Sequence, residues 1–187
     1  ANITRAEVSA IFYRLLSVDA RKQYAATSSS FADANKSWAA AEIATLTNAG
    51  ILKGYTDGSF RPNAAITRAE FASIAARFDK LSGGNKTFSD VPSNHWAYAA
   101  ITSAAEKGWV NGYSDGTFRP DNAITRSEVV KITNAVLGRS CDKDYVAKNI
   151  SKLTSYNDLS NTYWAYYDIL EAVSYTHLRA HETLRHL

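Results

Sequence analysis

Three times along this chain an Ile-Thr-Arg block is followed by apolar residues at helical spacing. Behind Thr4 come Val8, Ile11, Phe12 and Leu15; behind Thr67 come Phe71, Ile74, Ala75 and Phe78; behind Thr125 come Val129, Ile132 and Val136. Recurrence at three and four residues lays a single apolar stripe along a helix. The start of each helix is equally legible. Thr4 with Glu7, Thr67 with Glu70 and Thr125 with Glu128 have the capping-box spacing, in which the hydroxyl takes the N3 amide and the carboxylate returns to the cap amide. Ile3, Ile66 and Ile124 precede the caps and pair with Val8, Phe71 and Val129 as hydrophobic staples.

A second kind of helix opens near an aromatic-x-Asp tripeptide followed by a tryptophan: Phe31 and Asp33 with Trp38, Phe88 and Asp90 with Trp96, Tyr156 and Asp158 with Trp164. Ile43 and Leu46, then Ile101 and Ala104, supply its buried side. Gly50 and Gly108 stand where a left-handed C′ glycine ends such a helix. The Gly-Tyr-x-Asp-Gly-x-Phe segment that follows carries a tight-turn signal, and predicts either a short strand pair or a folded loop.

These elements recur as a unit. Residues 50–70 and 108–128 are identical at 13 of 21 positions, 58 residues apart, and a repeat of this length is a supersecondary unit that buries its face on its neighbours. The expected organisation is the back half of one repeat plus a connector (1–30), a whole repeat (31–87), a whole repeat plus a connector (88–155) and the front half of another (156–172). The connectors at 17–30 and 138–155 are longer than the one at 79–87, and the second, polar with several Lys, reads as a surface separator between repeats. The chain starts inside a repeat and has no Met, which predicts a piece of a longer protein. Residues 173–187 resemble a translated sequencing adapter and are set aside as non-native. His177, His181, Glu182 and His186 fall in that tail, so their zinc-like spacing carries no weight.

Composition narrows the function. Net charge is only +3 with acids and bases interspersed, and no Lys/Arg run suits a nucleic-acid backbone. No apolar run is long enough to span a membrane. The single Cys141 permits no intrachain disulfide. No metal-ligand cluster, Ser-His-Asp set or phosphate loop is present outside the tail, and the repeated acids have local explanations as caps or turns, so neither an enzyme nor a cofactor is expected. Asp57 supplies one oxygen where a calcium loop needs three or more.

Taken together, the aromatic-x-Asp opening, the tryptophans, the Gly-Tyr-x-Asp-Gly-x-Phe-x-Pro loop and the Ile-Thr-Arg-Ala/Ser-Glu block resemble the S-layer homology (SLH) domain over nearly the whole chain before the tail. The resemblance implies an all-α fold of tandem helix–loop–helix repeats, commonly three, arranged as a pseudo-threefold spindle. It also implies an extracellular location and non-covalent attachment of a bacterial surface protein to an acidic cell-wall polysaccharide, often pyruvylated. Self-assembly would belong to the rest of the parent protein.

For such a ligand the candidate residues are Arg5, Arg68 and Arg126. Each stands at N1, where free amides and the helix dipole favour an anion and a guanidinium fork fits a carboxylate. Tyr55, Tyr113, Trp38 and Trp96 offer flat apolar faces for a sugar, Asp57 and Asp115 accept from hydroxyls, and Gly54 and Gly112 admit the ligand closely. The tryptophans equally suit core packing, and the aspartates equally suit turn formation. The rival reading is a structural or protein–protein repeat without glycan binding.

Overall fold

The computed structural model describes residues 1–154 and 156–178, with the side chains of 174–178 left aside. The fold is all-α. Its helices are α1 (Arg5–Leu15), α2 (Val18–Gln23), α3 (Ala40–Asn48), α4 (Arg68–Phe78), α5 (Tyr98–Glu106), α6 (Arg126–Val136), α7 (Lys143–Asn149) and α8 (Tyr166–Leu178). No helix among the described residues is long and apolar enough to cross a membrane. The chain forms two compact units, the first covering residues 1–124 and the second beginning at Thr125.

In the first unit, α1 and α4 start on complete capping boxes at Thr4/Glu7 and Thr67/Glu70. Their stripes are buried where the spacing expects them. Val8, Phe71 and Ala75 are fully enclosed, and Phe12 packs against Phe71 and Phe78 with ring centroids 5.7 and 5.2 Å apart. Ile11 and Leu15 lie at the stripe's edge and are only half-buried. Helices α3 and α5 start two residues after Trp38 and Trp96. They end on Gly50 (φ +74) and Gly108 (φ +72), with paired bonds back into the last turn: Gly50 N to Thr47 O and Ile51 N to Leu46 O, both 2.9 Å.

Helix partners cross the repeat boundaries. α1 packs on α3, and α4 packs on α5, so the stripe behind each capping box is covered by the first helix of the following repeat. A repeat therefore supplies half of two packing units. The two capped starts and Ile124 also meet in a ring. Ile66 N donates to Ile3 O (3.1 Å), Ile124 N to Ile66 O (3.0 Å), and Ile3 N to Ile124 O (3.4 Å). All three isoleucines are buried, so the ring closes in a dry centre.

The second unit repeats the plan: α6 starts on the Thr125/Glu128 capping box and packs on α8. Val129 and Ile132 are buried and Val136 is half-buried. The opening helix α1 thus has α3 as its partner, and the closing helix α8 has α6. Each connector also carries a short helix, α2 in the first and α7 in the second. Ser17 caps α2 through Ala20 N, and Asp142 caps α7 through Tyr145 N. Both helices are short and hide little apolar surface. The Gly-Tyr-x-Asp-Gly segment is a folded loop rather than a strand pair.

Removing the Phe71 ring from this core is expected to lower unfolding free energy by about 3–5 kcal/mol, the usual cost of a buried Phe→Ala change. Urea unfolding of Phe71→Ala, followed by tryptophan fluorescence and far-UV circular dichroism, measures it.

Candidate functional site

The site is built from the helix starts and the loops they rest on. A helix leaves its first four amides without intrahelical partners. At α1 every one of these has a partner. Thr4 N donates to Glu7 Oε2 (2.8 Å), Arg5 N to Ala64 O (3.0 Å), Ala6 N to Pro62 O (2.9 Å) and Glu7 N to Thr4 Oγ1 (3.2 Å). At α4 the same four positions bond to Glu70 Oε2 (3.0 Å), Asn122 O (2.9 Å), Pro120 O (3.0 Å) and Thr67 Oγ1 (3.2 Å). The next loop's carbonyls thus fill the places that an anion was expected to take.

The arginines follow the amides. Arg5 is 4% exposed, and its Nε and Nη2 donate to Phe60 O (2.8 Å) and Lys53 O (3.0 Å). Nη1 lies 3.2 Å from Glu70 Oε1. Arg68, 6% exposed, donates to Phe118 O (2.8 Å) and Asn111 O (2.9 Å). The guanidiniums of Arg5 and Arg68 thus clasp carbonyls of the adjoining loop. Five donors in a rigid fork suit several converging carbonyls, which an ammonium could not match. Arg126, by contrast, is exposed.

The loops explain most of the other candidates. The Tyr55 ring has the Arg5 guanidinium 4.7 Å and the Arg61 guanidinium 4.3 Å from its centroid, and the Tyr113 ring has Arg119 at 3.9 Å. Each ring therefore has a guanidinium packed against it, while Tyr113 stays 38% exposed. Tyr55 also donates to Glu70 Oε1 (2.6 Å), and burial together with that bond pushes its hydroxyl pKa up. Asp57 accepts from Ser59 N (2.9 Å), Ser59 Oγ (2.6 Å) and Arg61 Nη2 (2.7 Å); Asp115 does the same with Thr117 and Arg119. Both act as turn formers. Side-chain and backbone bonds from Thr117 hold the Asp115 pKa down at about 2, and the corresponding Ser59 bonds lower Asp57 as well.

Gly54 and Gly112 are also internal requirements. A Cβ on Gly54 would strike the Phe31 ring and lie 2.7 Å from Ser59 O, and one on Gly112 would meet Phe88 and Thr117 O in the same way. The close approach is made by the aromatic that opens the same repeat. Its companion aspartate proves central. Asp33 accepts from Phe60 N (3.0 Å) and Arg61 N (2.7 Å), and Asp90 from Phe118 N and Arg119 N, both 2.7 Å. These carboxylates hold Arg61 and Arg119 in a left-handed backbone (φ +57 at each), costly for a residue with a Cβ. Burial raises the Asp33 pKa, but its backbone donors outweigh that and leave it lowered.

One cleft of about 430 Å³ lies in the first unit, within the range of roughly 300–1,000 Å³ typical of small-ligand sites. Arg5, Gly54, Tyr55, Glu70 and Trp96 line it, with Lys53, Thr56, Thr67, Ser73, Ile74, Arg77 and Asp121. It gathers four of the expected residues: Arg5, Gly54, Tyr55 and Trp96. Trp38, Asp57, Arg68, Gly112, Tyr113, Asp115 and Arg126 lie off it. Trp96 is 63% exposed, which removes core packing as its role; Trp38 and Trp164 are exposed too. His95 stacks beside Trp96 and accepts from Ala97 N (3.1 Å). Lys53 and Arg77 had no motif to mark them. Arg77 donates to Ile51 O (3.1 Å), and burial, with Arg5 nearby, lowers its pKa. The histidines at 181 and 186 and the side chain of His177 lie outside the described residues.

The S-layer homology domain profile matches residues 30–72 and 87–130. Cell surface glycoprotein 1 of Acetivibrio thermocellus is 39% identical over 185 residues, covering 91% of this chain and 8% of that protein. The Cellulosome-anchoring protein of the same organism is 38% identical over 181 residues, 93% of this chain and 39% of that protein. Amylopullulanase of Thermoanaerobacterium thermosulfurigenes is 35% identical over 150 residues, 76% of this chain and 8% of that enzyme. The chain thus spans well under half the length of these relatives.

The loop carboxylates predict an acid response. Their folded pKa values lie below the ordinary 3.8, so their contribution is complete above that value. It is lost as pH falls through the folded values, to about 2 for Asp115. Melting temperature should hold steady down to about pH 4.5 and then fall, with Asp33→Ala costing about 1–3 kcal/mol at neutral pH for the amides it strands. Thermal melts of both proteins across pH 2–7 check this.

Proposed function

The chain belongs to the S-layer homology domain family through residues 30–72 and 87–130, and on that premise we propose that it anchors a larger bacterial surface protein to the cell wall by holding an acidic polysaccharide in the Trp96 cleft. The family is an anchoring one, and relatives are named as a cellulosome-anchoring protein and as surface-layer proteins. The enzymes among them share only a small part of their length with this chain, 8% for the amylopullulanase. The working location is the outer face of the cell, on the wall.

The observation that carries the reading is the 63% exposed Trp96 on the wall of a cleft that also presents Lys53 and Arg77. An exposed aromatic ring on the wall of a concave site is the kind of lining that small-ligand pockets use. A sugar ring offers the flat, weakly apolar face that an indole can cover, with hydroxyls left for the polar rim. Arg5 and Glu70 neutralise one another, so Lys53 and Arg77 set the sign of the cleft against Asp121. Arg5 and Tyr55 then work from below: they fix the loop that carries Lys53, rather than meeting the ligand charge. A carboxylate-bearing saccharide, such as a pyruvylated sugar, fits this arrangement better than a neutral one. A purely structural repeat would use the same caps and clasps but would gain nothing from the bare indole.

Sedimentation with purified cell-wall sacculi tests the proposal. The chain should co-sediment, and should stay in solution once the secondary polysaccharide is extracted. Trp96→Ala and the Lys53→Ala/Arg77→Ala pair should each weaken retention about tenfold, equivalent to roughly 1.4 kcal/mol. Retention that survives polysaccharide extraction would sink the glycan reading.

A further inference from the structure

The loop that Arg68 clasps carries a chemical weakness that its counterpart in the preceding repeat lacks. Arg68 Nη2 donates to Asn111 O (2.9 Å), and Arg5 Nη2 donates to Lys53 O (3.0 Å) at the same place in the other loop. Each acceptor residue precedes a glycine that the fold demands. A Cβ on Gly112 would meet the Phe88 ring and lie 2.7 Å from Thr117 O. Asn111 and Gly112 form the one Asn-Gly pair in the sequence. Asparagine is thermolabile, and most so before glycine, where no Cβ keeps the following amide nitrogen from the side-chain carbonyl carbon. Both residues are exposed. Among the described residues, neither the Asn111 side chain nor the Gly112 amide makes a hydrogen bond. The two Asp-Gly pairs of these loops are tied down instead. Gly58 N donates to Tyr55 O and Gly116 N to Tyr113 O, both 3.0 Å, while Asp57 and Asp115 are held by the serine, threonine and arginine beside them.

From these observations we infer that Asn111 is a site of spontaneous deamidation, and that its isoaspartyl product undoes the Arg68 clasp. The Gly112 nitrogen attacks Cγ of Asn111 while water carries its proton to the side-chain nitrogen, which leaves as ammonia and closes a succinimide. A second water then opens the ring at either carbonyl. Opening at Cγ leaves aspartate. Opening at the main-chain carbon leaves isoaspartate, with the chain running on through Cβ and Cγ. One water is consumed and one ammonia released, and no oxidant or cofactor is needed. In isoaspartate the carbonyl that Arg68 held becomes a free carboxylate, and the main chain gains one atom just before Gly112. That glycine is wedged between Phe88 and Thr117 O, so the added length must displace the loop. The Lys53 loop cannot undergo this reaction, so ageing acts on one clasp and spares the other. The inference does not depend on the glycan reading.

The test ages the whole chain at neutral pH and digests samples with trypsin. Residues 108–126 leave as one peptide because Arg119 precedes Pro120. Fragmentation locates the change, and isoaspartyl methyltransferase labelling identifies isoaspartate. The same peptide carries Asn122, followed by Ala123, as an internal reference. Asn111 should lose its amide first, at no less than about one-tenth of the rate in a synthetic peptide of residues 108–116, since loops open locally at small cost. Slower loss in the native chain, or loss at Asn122 first, overturns the site. The isoaspartyl form, separated by ion exchange, should melt about 2–4 °C below the fresh chain. Asn111→Asp, which has the new charge without the longer backbone, should melt with the fresh chain. Asn111→Lys, which copies the other loop, should not age. If the isoaspartyl form melts with the fresh chain, or Asn111→Asp melts as low as the isoaspartyl form, the loss of the clasp through backbone lengthening is refuted.

Discussion

The interaction on which the rest depends is the docking of a capped helix start onto the carbonyls of the next repeat's loop. Elsewhere an N-terminal turn leaves its amides to water or to a ligand. Here Ala64 and Pro62 take the amides of Arg5 and Ala6, and Asn122 and Pro120 take those of Arg68 and Ala69. The arginine side chain then reaches further into the same loop and satisfies two more carbonyls. Capping threonine and glutamate supply the remaining partners locally. Each buried polar group is thus paired, the condition under which such groups can be enclosed at all.

Docking of this kind makes the repeats interdependent. A loop is held from one side by the arginine of the preceding helix start and from the other by the aspartate that opens its own repeat. The apolar stripe behind each cap is covered by a helix of the following repeat. A single copy in isolation would expose its stripe and strand its loop carbonyls. The isoleucine ring joins the helix starts through backbone bonds in the buried centre, where water cannot compete for them.

This arrangement separates the motif from the function proposed for it. Arginine, tyrosine, aspartate and glycine of the repeated loop are consumed in building it. The groups left facing outward include the motif tryptophans, Trp38, Trp96 and Trp164, and, on the cleft beside Trp96, Lys53 and Arg77, which no motif marked. A repeat can then hold its loops rigid while varying the charges around each indole.

What the chain determined by itself was local. Capping boxes, staples, C′ glycines and apolar stripes depend on residues three to six apart, so their spacing carries the geometry, and they were legible for α1, α3, α4, α5 and α6. What Arg5, Gly54 or Asp33 would touch was decided only by tertiary structure, since Arg5 meets Phe60 and Asp33 meets Arg61 across long stretches of chain. A guanidinium beside a helix start looks the same in sequence whether it awaits an anion or clasps a carbonyl. The exposure of the tryptophans was likewise undecided, because an indole is apolar enough for a core and polar enough for a binding face. Only packing shows on which side of the surface it lies.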